Sequence, residues 1–278
     1  MTAVRISGTD ELFAAIGSAR SISLSSYILH PGRLVEALEA AGDRGADVSV
    51  RLEAAPLDPS GSLAATNLKV AEELRAHHVA AELTQTHLKA AVIDGETFLD
   101  DRNWAEHGPS TLIADSEPDD VGVVRAGIEG KVASDPHLWT RKGDALNAEA
   151  QLLLDAGSER IEVESESFGF GAVEQALAAK ARDGDDVRLL VGARDATNPR
   201  EASALKRLAA AGVHIRVAPF AEKIAVAGQQ AWVGSANAGI FPSDMVDWGM
   251  RTQIPALVDA LRARFEDNWS SPKAHPLE

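Results

Sequence analysis

The chain has 278 residues, 45% of them apolar and 25% charged. At about 150 residues per domain this is one large domain or two ordinary ones, with a composition that excludes disorder as its main state. Cysteine is absent, which excludes disulfides, iron–sulfur clusters, thiolate zinc sites and a cysteine nucleophile. The 27 Lys and Arg against 42 Asp and Glu leave a net charge of −15, a field that repels polyanions, so non-specific nucleic acid and anionic membrane surfaces are disfavoured partners.

In chain order, a β-rich run over 21–25, a helical pattern over 32–41, a strand over 47–52, a helix over 68–77 and a strand over 79–83 spell βαβαβ. That order predicts an α/β fold with a parallel or mixed sheet covered by helices. The stretch 105–135 reads as a connection rich in Gly, Pro, Ser and acid. Its run Asp115-Ser116-Glu117-Pro118-Asp119-Asp120 has the composition of a solvated loop, and a metal role for it requires convergent geometry that a linear pattern does not carry. A connecting helix is predicted over 141–154. The βαβαβ order then returns with strands over 160–164, 186–191 and 213–217 and helices over 172–181 and 200–210. An amphipathic helix over 255–269 puts Leu257, Leu261 and Phe265 on one face. No run reaches the roughly 18 apolar residues of a membrane span, and the first twenty residues lack the order of a signal peptide. The expectation is a cytoplasmic protein with no transmembrane segment.

A duplication should show constant offsets. Leu38, Gly45, Asp47 and Val48 recur as Leu177, Gly184, Asp186 and Val187 at an offset of 139, and Leu74, Val79, Lys89 and Asn103 recur as Leu208, Val213, Lys223 and Asn237 at 134. Two repeats follow, the first over 1–135. The second region, 136–278, holds the connecting helix, the second repeat and the C-terminal helix.

The polar matches mark the chemistry. His87 and Lys89 stand two apart before the apolar run Ala90-Ala91-Val92-Ile93, and the period of an extended chain points both to one face. Asp94-Gly95 is a hairpin signal, and Asn103 follows the next apolar stretch, Thr97-Phe98-Leu99. A neutral imidazole can attack phosphorus while an ammonium and a carboxamide stabilise charge on the phosphoryl oxygens, and the scheme requires neither metal nor cofactor. Gly169-Phe170-Gly171 lacks the third glycine of a dinucleotide-binding loop and reads as a turn before a helix.

His87-x-Lys89-x4-Asp94 with Asp100-Asp101-Arg102-Asn103, and Lys223 with Gly234-Ser235-Ala236-Asn237, resemble the HxKx4D…GSxN signature of the phospholipase D superfamily. The resemblance implies two α/β repeats, each a mixed sheet flanked by helices, packed as a pseudo-dimer. It implies His87, Lys89 and Asp94 as catalytic residues, with His87 the nucleophile of a phosphohistidine intermediate. It also implies Asn103, Lys223, Ser235 and Asn237 as phosphate contacts. The second motif is degenerate, with Ala221 and Gly228 where His and Asp are expected, so the acid that protonates the leaving group is missing. General acid catalysis is typically worth about 10²- to 10⁴-fold. Glu164, Glu166, Glu222 and His107 are the candidates to replace that acid or orient the histidine. Asp100 and Asp101 stand where Gly-Ser is usual, and carboxylates turned toward the site would repel a phosphate.

The expected function is a metal-independent hydrolase or phosphatidyl transferase acting on a small-molecule or lipid phosphodiester. A catalytically inactive phosphate-binding protein is the alternative, and a nuclease the second. The charge and the 5% aromatic content argue against nucleic acid. The expected assembly is a monomer with an internal pseudo-two-fold, since the duplication already supplies the two halves that a dimer would bring together, with a dimer as the alternative.

Overall fold

The computed structural model describes residues 3–104, 110–157, 160–193, 198–219, 221–239 and 244–277. They form two compact units: Met1–Arg141 with Met245–Trp248, and Lys142–Asp244 with Gly249–Glu278.

The first unit runs β1 (Val4–Ser7), α1 (Thr9–Ser18), β2 (Ser21–Ser26), α2 (Arg33–Asp43), β3 (Asp47–Glu53), α3 (Ser62–Ala76), β4 (Ala80–Thr84), β5 (Ala90–Ile93), β6 (Glu96–Asp100), β7 (Leu112–Asp115), α4 (Pro118–Ile128) and β8 (Leu138–Arg141). Its seven-stranded sheet has the order β1-β7-β6-β5-β2-β3-β4. The helical crossovers make β2, β3 and β4 parallel, while β5 pairs antiparallel with β2 and β6, and β6 with β7, so the sheet is mixed. The second unit runs α5 (Lys142–Asp155), β9 (Ile161–Ser165), α6 (Ala172–Arg182), β10 (Val187–Gly192), α7 (Pro199–Ala211), β11 (His214–Ala218), β12 (Ile224–Ala227), β13 (Gln230–Gly234), β14 (Val246–Thr252, whose first three residues belong to the first unit), α8 (Pro255–Trp269) and β15 (His275–Pro276). The second sheet has the order β15-β11-β10-β9-β12-β13-β14-β8, again with β9, β10 and β11 parallel.

The offsets seen in the sequence reappear as structure. Helices α2 and α6 are displaced by 139 residues at both ends, and the β5–β6 and β12–β13 hairpins by 134. Even the turn glycines match, with φ of 91° at Gly45 and 94° at Gly184, a left-handed conformation that glycine adopts without steric cost. Leu24, Leu38, Leu52, Leu74 and Phe98 are fully buried in the first unit, and Leu177, Leu189, Leu208 and Val226 in the second. Each such side chain contributes roughly 1.5–3 kcal/mol of transfer free energy.

Two expectations need correction. The stretch 105–135 contains β7 and α4, because Leu112-Ile113-Ala114 forms a buried strand between β1 and β6 and Pro118 opens a helix with acids in its first turn. Strand β14 and the N-terminal pair β1 and α1 are further elements that the repeated βαβαβ pattern does not contain. No helix among the described residues is long and apolar enough to cross a membrane.

Candidate functional site

His87 and Lys89 lie in the extended segment between β4 and β5. The expected shared face is present: Lys89 Nζ lies 2.9 Å from His87 Nδ1 and 3.5 Å from Nε2, and donates to the His87 carbonyl oxygen at 2.7 Å. His87 Nδ1 is also 2.9 Å from Asp247 Oδ2. Nδ1 thus faces both a carboxylate, which only accepts, and an ammonium, which only donates; in the tautomer whose Nδ1–H donates to Asp247 the lone pair is on Nε2. Asp247 is fully buried and 4.0 Å from Lys89 Nζ, so imidazole, ammonium and carboxylate form one charge-compensated group in the first unit.

Three neighbours of this group escape the motif. Asp247, 160 positions from His87, leaves only the faint signal of one acid in the strand run Val246-Asp247-Trp248. The Tyr27 ring packs on His87 with centroids 4.5 Å apart. Glu53 accepts from the Thr86 amide at 2.6 Å and from the Ala55 amide at 2.9 Å, fixing the chain immediately before His87. The Ser25 and Thr86 hydroxyls, 2.8 Å apart, make a further tie to β2.

The other motif residues divide by place. Asn103 follows β6, whose end bonds back to the motif through the Asp100 amide and the Lys89 carbonyl at 3.0 Å. Its Oδ1 accepts from the Ile28 amide at 3.3 Å. Asp94 is not brought to His87. It sits exposed in the β5–β6 turn with φ of 46°, where its carboxylate accepts from the Arg20 and Ser21 amides at the start of β2. Gly228, its counterpart, has φ of 57°, so both repeats place there a residue that tolerates a left-handed turn. Asp100 and Asp101 are buried and engaged locally. Asp100 accepts from the Arg102 and Trp104 amides, and Asp101 from the Thr111 amide at 2.8 Å. Ser110 Oγ donates to both, so each carboxylate has local donors.

In the second unit the scaffold is kept and the chemistry changed. Asn237 Oδ1 accepts from the Ser167 amide at 3.2 Å, as Asn103 does from Ile28. Ser165 and Ser26 each donate to the carbonyl two residues on, at 2.7 and 2.6 Å. Lys223 is buried as Lys89 is, and Ser235 is fully buried. Ala221, fully buried, replaces the histidine. Glu166, at the position of Tyr27, pairs with Lys223 Nζ at 3.0 Å. Of the other candidate acids, Glu164 accepts from the Glu222 amide at 2.6 Å and from Asn268 at 3.1 Å, and Glu222 pairs with Arg264 at 3.2 Å. His107 lies outside the described residues.

No protein-family model matches the chain, and no curated sequence matches it as a relative. Among solved structures, phosphatidylserine synthase from Haemophilus influenzae Rd KW20 superposes with a TM-score of 0.71 at 10% identity, over 99% of this chain and 87% of that one. Polyphosphate kinase from Porphyromonas gingivalis superposes with a TM-score of 0.66 at 17% identity, over 95% of this chain. The chain spans about half of that kinase, 48% of its length. Likeness at such identities concerns the fold.

Proposed function

From the premise that the chain carries the fold of the phospholipase D superfamily, we propose that it cleaves or transfers phosphodiesters by a phosphohistidine mechanism using the intact motif of the first unit. The observation that carries this reading is the 2.9 Å contact between His87 Nδ1 and the buried Asp247 carboxylate, which supports the tautomer whose Nε2 lone pair can act as the nucleophile.

In the proposed first step the Nε2 lone pair forms a bond to phosphorus as the bond to the leaving oxygen breaks, and that oxygen departs with the electron pair. The imidazole becomes cationic, and Asp247 stabilises the charge. In the second step a water or alcohol oxygen attacks phosphorus, the P–N bond returns its electrons to Nε2, and the nucleophile's proton passes to solvent. Lys89 and Asn103 are proposed to hold the phosphoryl oxygens, and Lys223, Ser235 and Asn237 are proposed as the phosphate contacts of the second unit. Asp94 is assigned to the hairpin turn rather than to the reaction. With Ala221 in place of an acid, the substrates favoured are small or lipid phosphodiesters whose leaving group needs little protonation. The high negative charge favours these over nucleic acid.

The test is nitrophenolate release from bis-(4-nitrophenyl) phosphate in EDTA at room temperature, since this leaving group departs without an acid. Turnover in the parent, reduced about 10³-fold or more by His87→Ala and about 10²-fold or more by Lys89→Ala, is expected. A phosphate-binding protein without activity is the second reading, favoured by Ala221 and by the Glu166–Lys223 pair. It predicts no parent turnover, with phosphate affinity that survives His87→Ala and falls in Lys89→Ala.

A further inference from the structure

The acidic run that reads as a solvated loop does not behave as one. Asp115 ends β7 and Asp120 lies in the first turn of α4; both are fully buried. Asp135 and His137 come from the tight connection before β8, which is closed by the Thr140 amide on the Ala133 carbonyl, the Asp135 amide on the Leu138 carbonyl, and a bridge between Ser134 and Trp139. These segments bring three carboxylates and an imidazole together. His137 Nε2 lies 2.9 Å from Asp120 Oδ2, and its Nδ1 is 3.3 Å from Asp135 Oδ1. Ligand atoms of Asp120, Asp135 and His137 all lie within 4.8 Å of one another, and the carboxyls of Asp115 and Asp135 both abut Asp120.

One oxygen of each acid is satisfied: Asp115 Oδ1 by the Glu117 amide, Asp135 Oδ1 by the His137 and Leu138 amides, and Asp120 Oδ2 by His137. The other oxygen of each, Asp115 Oδ2, Asp120 Oδ1 and Asp135 Oδ2, is buried without a hydrogen-bond partner. Buried carboxylates in mutual contact are costly unless something positive compensates them, and no Lys or Arg pairs with them among the described residues. His137, 45% exposed, is the way in from solvent.

We propose that Asp120, Asp135 and His137 form a binding site for one first-row divalent cation of the Mn²⁺ or Zn²⁺ type, with Asp115 as a neighbouring negative charge, separate from the phosphoryl-transfer group. Oxygen donors with one imidazole suit these ions better than Ca²⁺, which takes oxygen ligands throughout. The cation would tie the start of α4 to the hairpin before β8, a structural role that leaves the proposed reaction metal-independent.

The test uses tag-free full-length protein, stripped with EDTA and exchanged into chelator-free buffer. It is titrated with MnCl₂ while the EPR signal of unbound Mn²⁺ is followed, and with ZnCl₂ by calorimetry. One equivalent bound by the parent, with affinity reduced about tenfold or more in both Asp120→Asn and His137→Ala, is expected. His137 is half-exposed, so His137→Ala remains informative if Asp120→Asn fails to fold. No binding by the parent, or undiminished affinity in His137→Ala, overturns the site. Neither result bears on turnover by His87, which is measured in EDTA.

Discussion

Asp247 and Asp94 are held in different surroundings. The aspartate inside the motif spacing holds two backbone amides at a hairpin turn, while the aspartate 160 residues from His87 holds the imidazole. The reason is local geometry. Asp94 stands five residues beyond Lys89, across the length of β5, which at about 3.3 Å per residue carries it some 16 Å along the sheet. This account predicts that Asp247→Asn lowers nitrophenolate turnover about 10²-fold or more with little change in KM, because it removes the group that fixes the tautomer and balances the imidazolium. Asp94→Gly, which copies the second repeat, should keep turnover within a few-fold of the parent and lower only Tm. Steady-state kinetics of the two variants side by side make the comparison, and equal losses of turnover would return Asp94 to the reaction. His87, Lys89 and Asn103 were legible because their spacing is local. Asp247, Tyr27 and Glu53 were not, because each reaches His87 or the residue before it only through sheet pairing or chain return.

Comparing corresponding elements shows which positions the fold constrains. Between α3 and β4 the chain must turn through a left-handed residue. The first repeat uses His78 with φ of 63° and the second uses Gly212 with φ of 105°. A non-glycine residue there costs about 1–2 kcal/mol, partly offset by the unfolded-state entropy of glycine. Because the His78 side chain is exposed, His78→Gly should raise Tm by about 1–3 °C in calorimetry, and a fall in Tm would contradict the strain. Helix α5 carries the opposite problem, since Glu149 is 2% exposed and burial pushes its carboxyl up to about 8. The folded state therefore holds a proton that the unfolded chain releases above its ordinary carboxyl value of 4.5. Stability then falls as pH rises between about 4.5 and about 8, by up to about 1.4 kcal/mol per pH unit. Glu149→Gln should flatten that slope in denaturant titrations across this range, and an unchanged slope would show that another group carries it. The helices and parallel strands of both repeats were legible from their hydrophobic periods. Strands β1 and β14 gave no comparable signal for different reasons: β1 is a four-residue edge strand, too short to show a period, and β14, between β13 and β8, is buried along most of its seven residues and so shows no alternation.

At the scale of the whole molecule, duplication and divergence are read together. Both repeats keep the sheet order, the turn glycines and the asparagine that accepts the amide of the loop after the first parallel strand. The first keeps His87 against Tyr27 and Asp247. The second has Ala221 for the histidine and Glu166 at the tyrosine position, neutralising Lys223. The substitutions are coordinated: an aromatic ring is retained beside an imidazole and a carboxylate beside a lysine that has lost its imidazole neighbour. The scaffold was thus legible from constant offsets and the degenerate second motif from Ala221 and Gly228, whereas the pairing of Glu166 with Lys223 and of His87 with Asp247 was not. The central claim is that a single motif histidine forms the covalent intermediate. Its most direct measurement is rapid quenching of the protein during turnover of bis-(4-nitrophenyl) phosphate, followed by peptide mapping under conditions that preserve P–N bonds. The account predicts a phosphoryl adduct on the peptide containing His87, absent in His87→Ala and lost on further incubation after substrate is exhausted. Turnover that proceeds undiminished in His87→Ala, or an adduct on another residue, would contradict it.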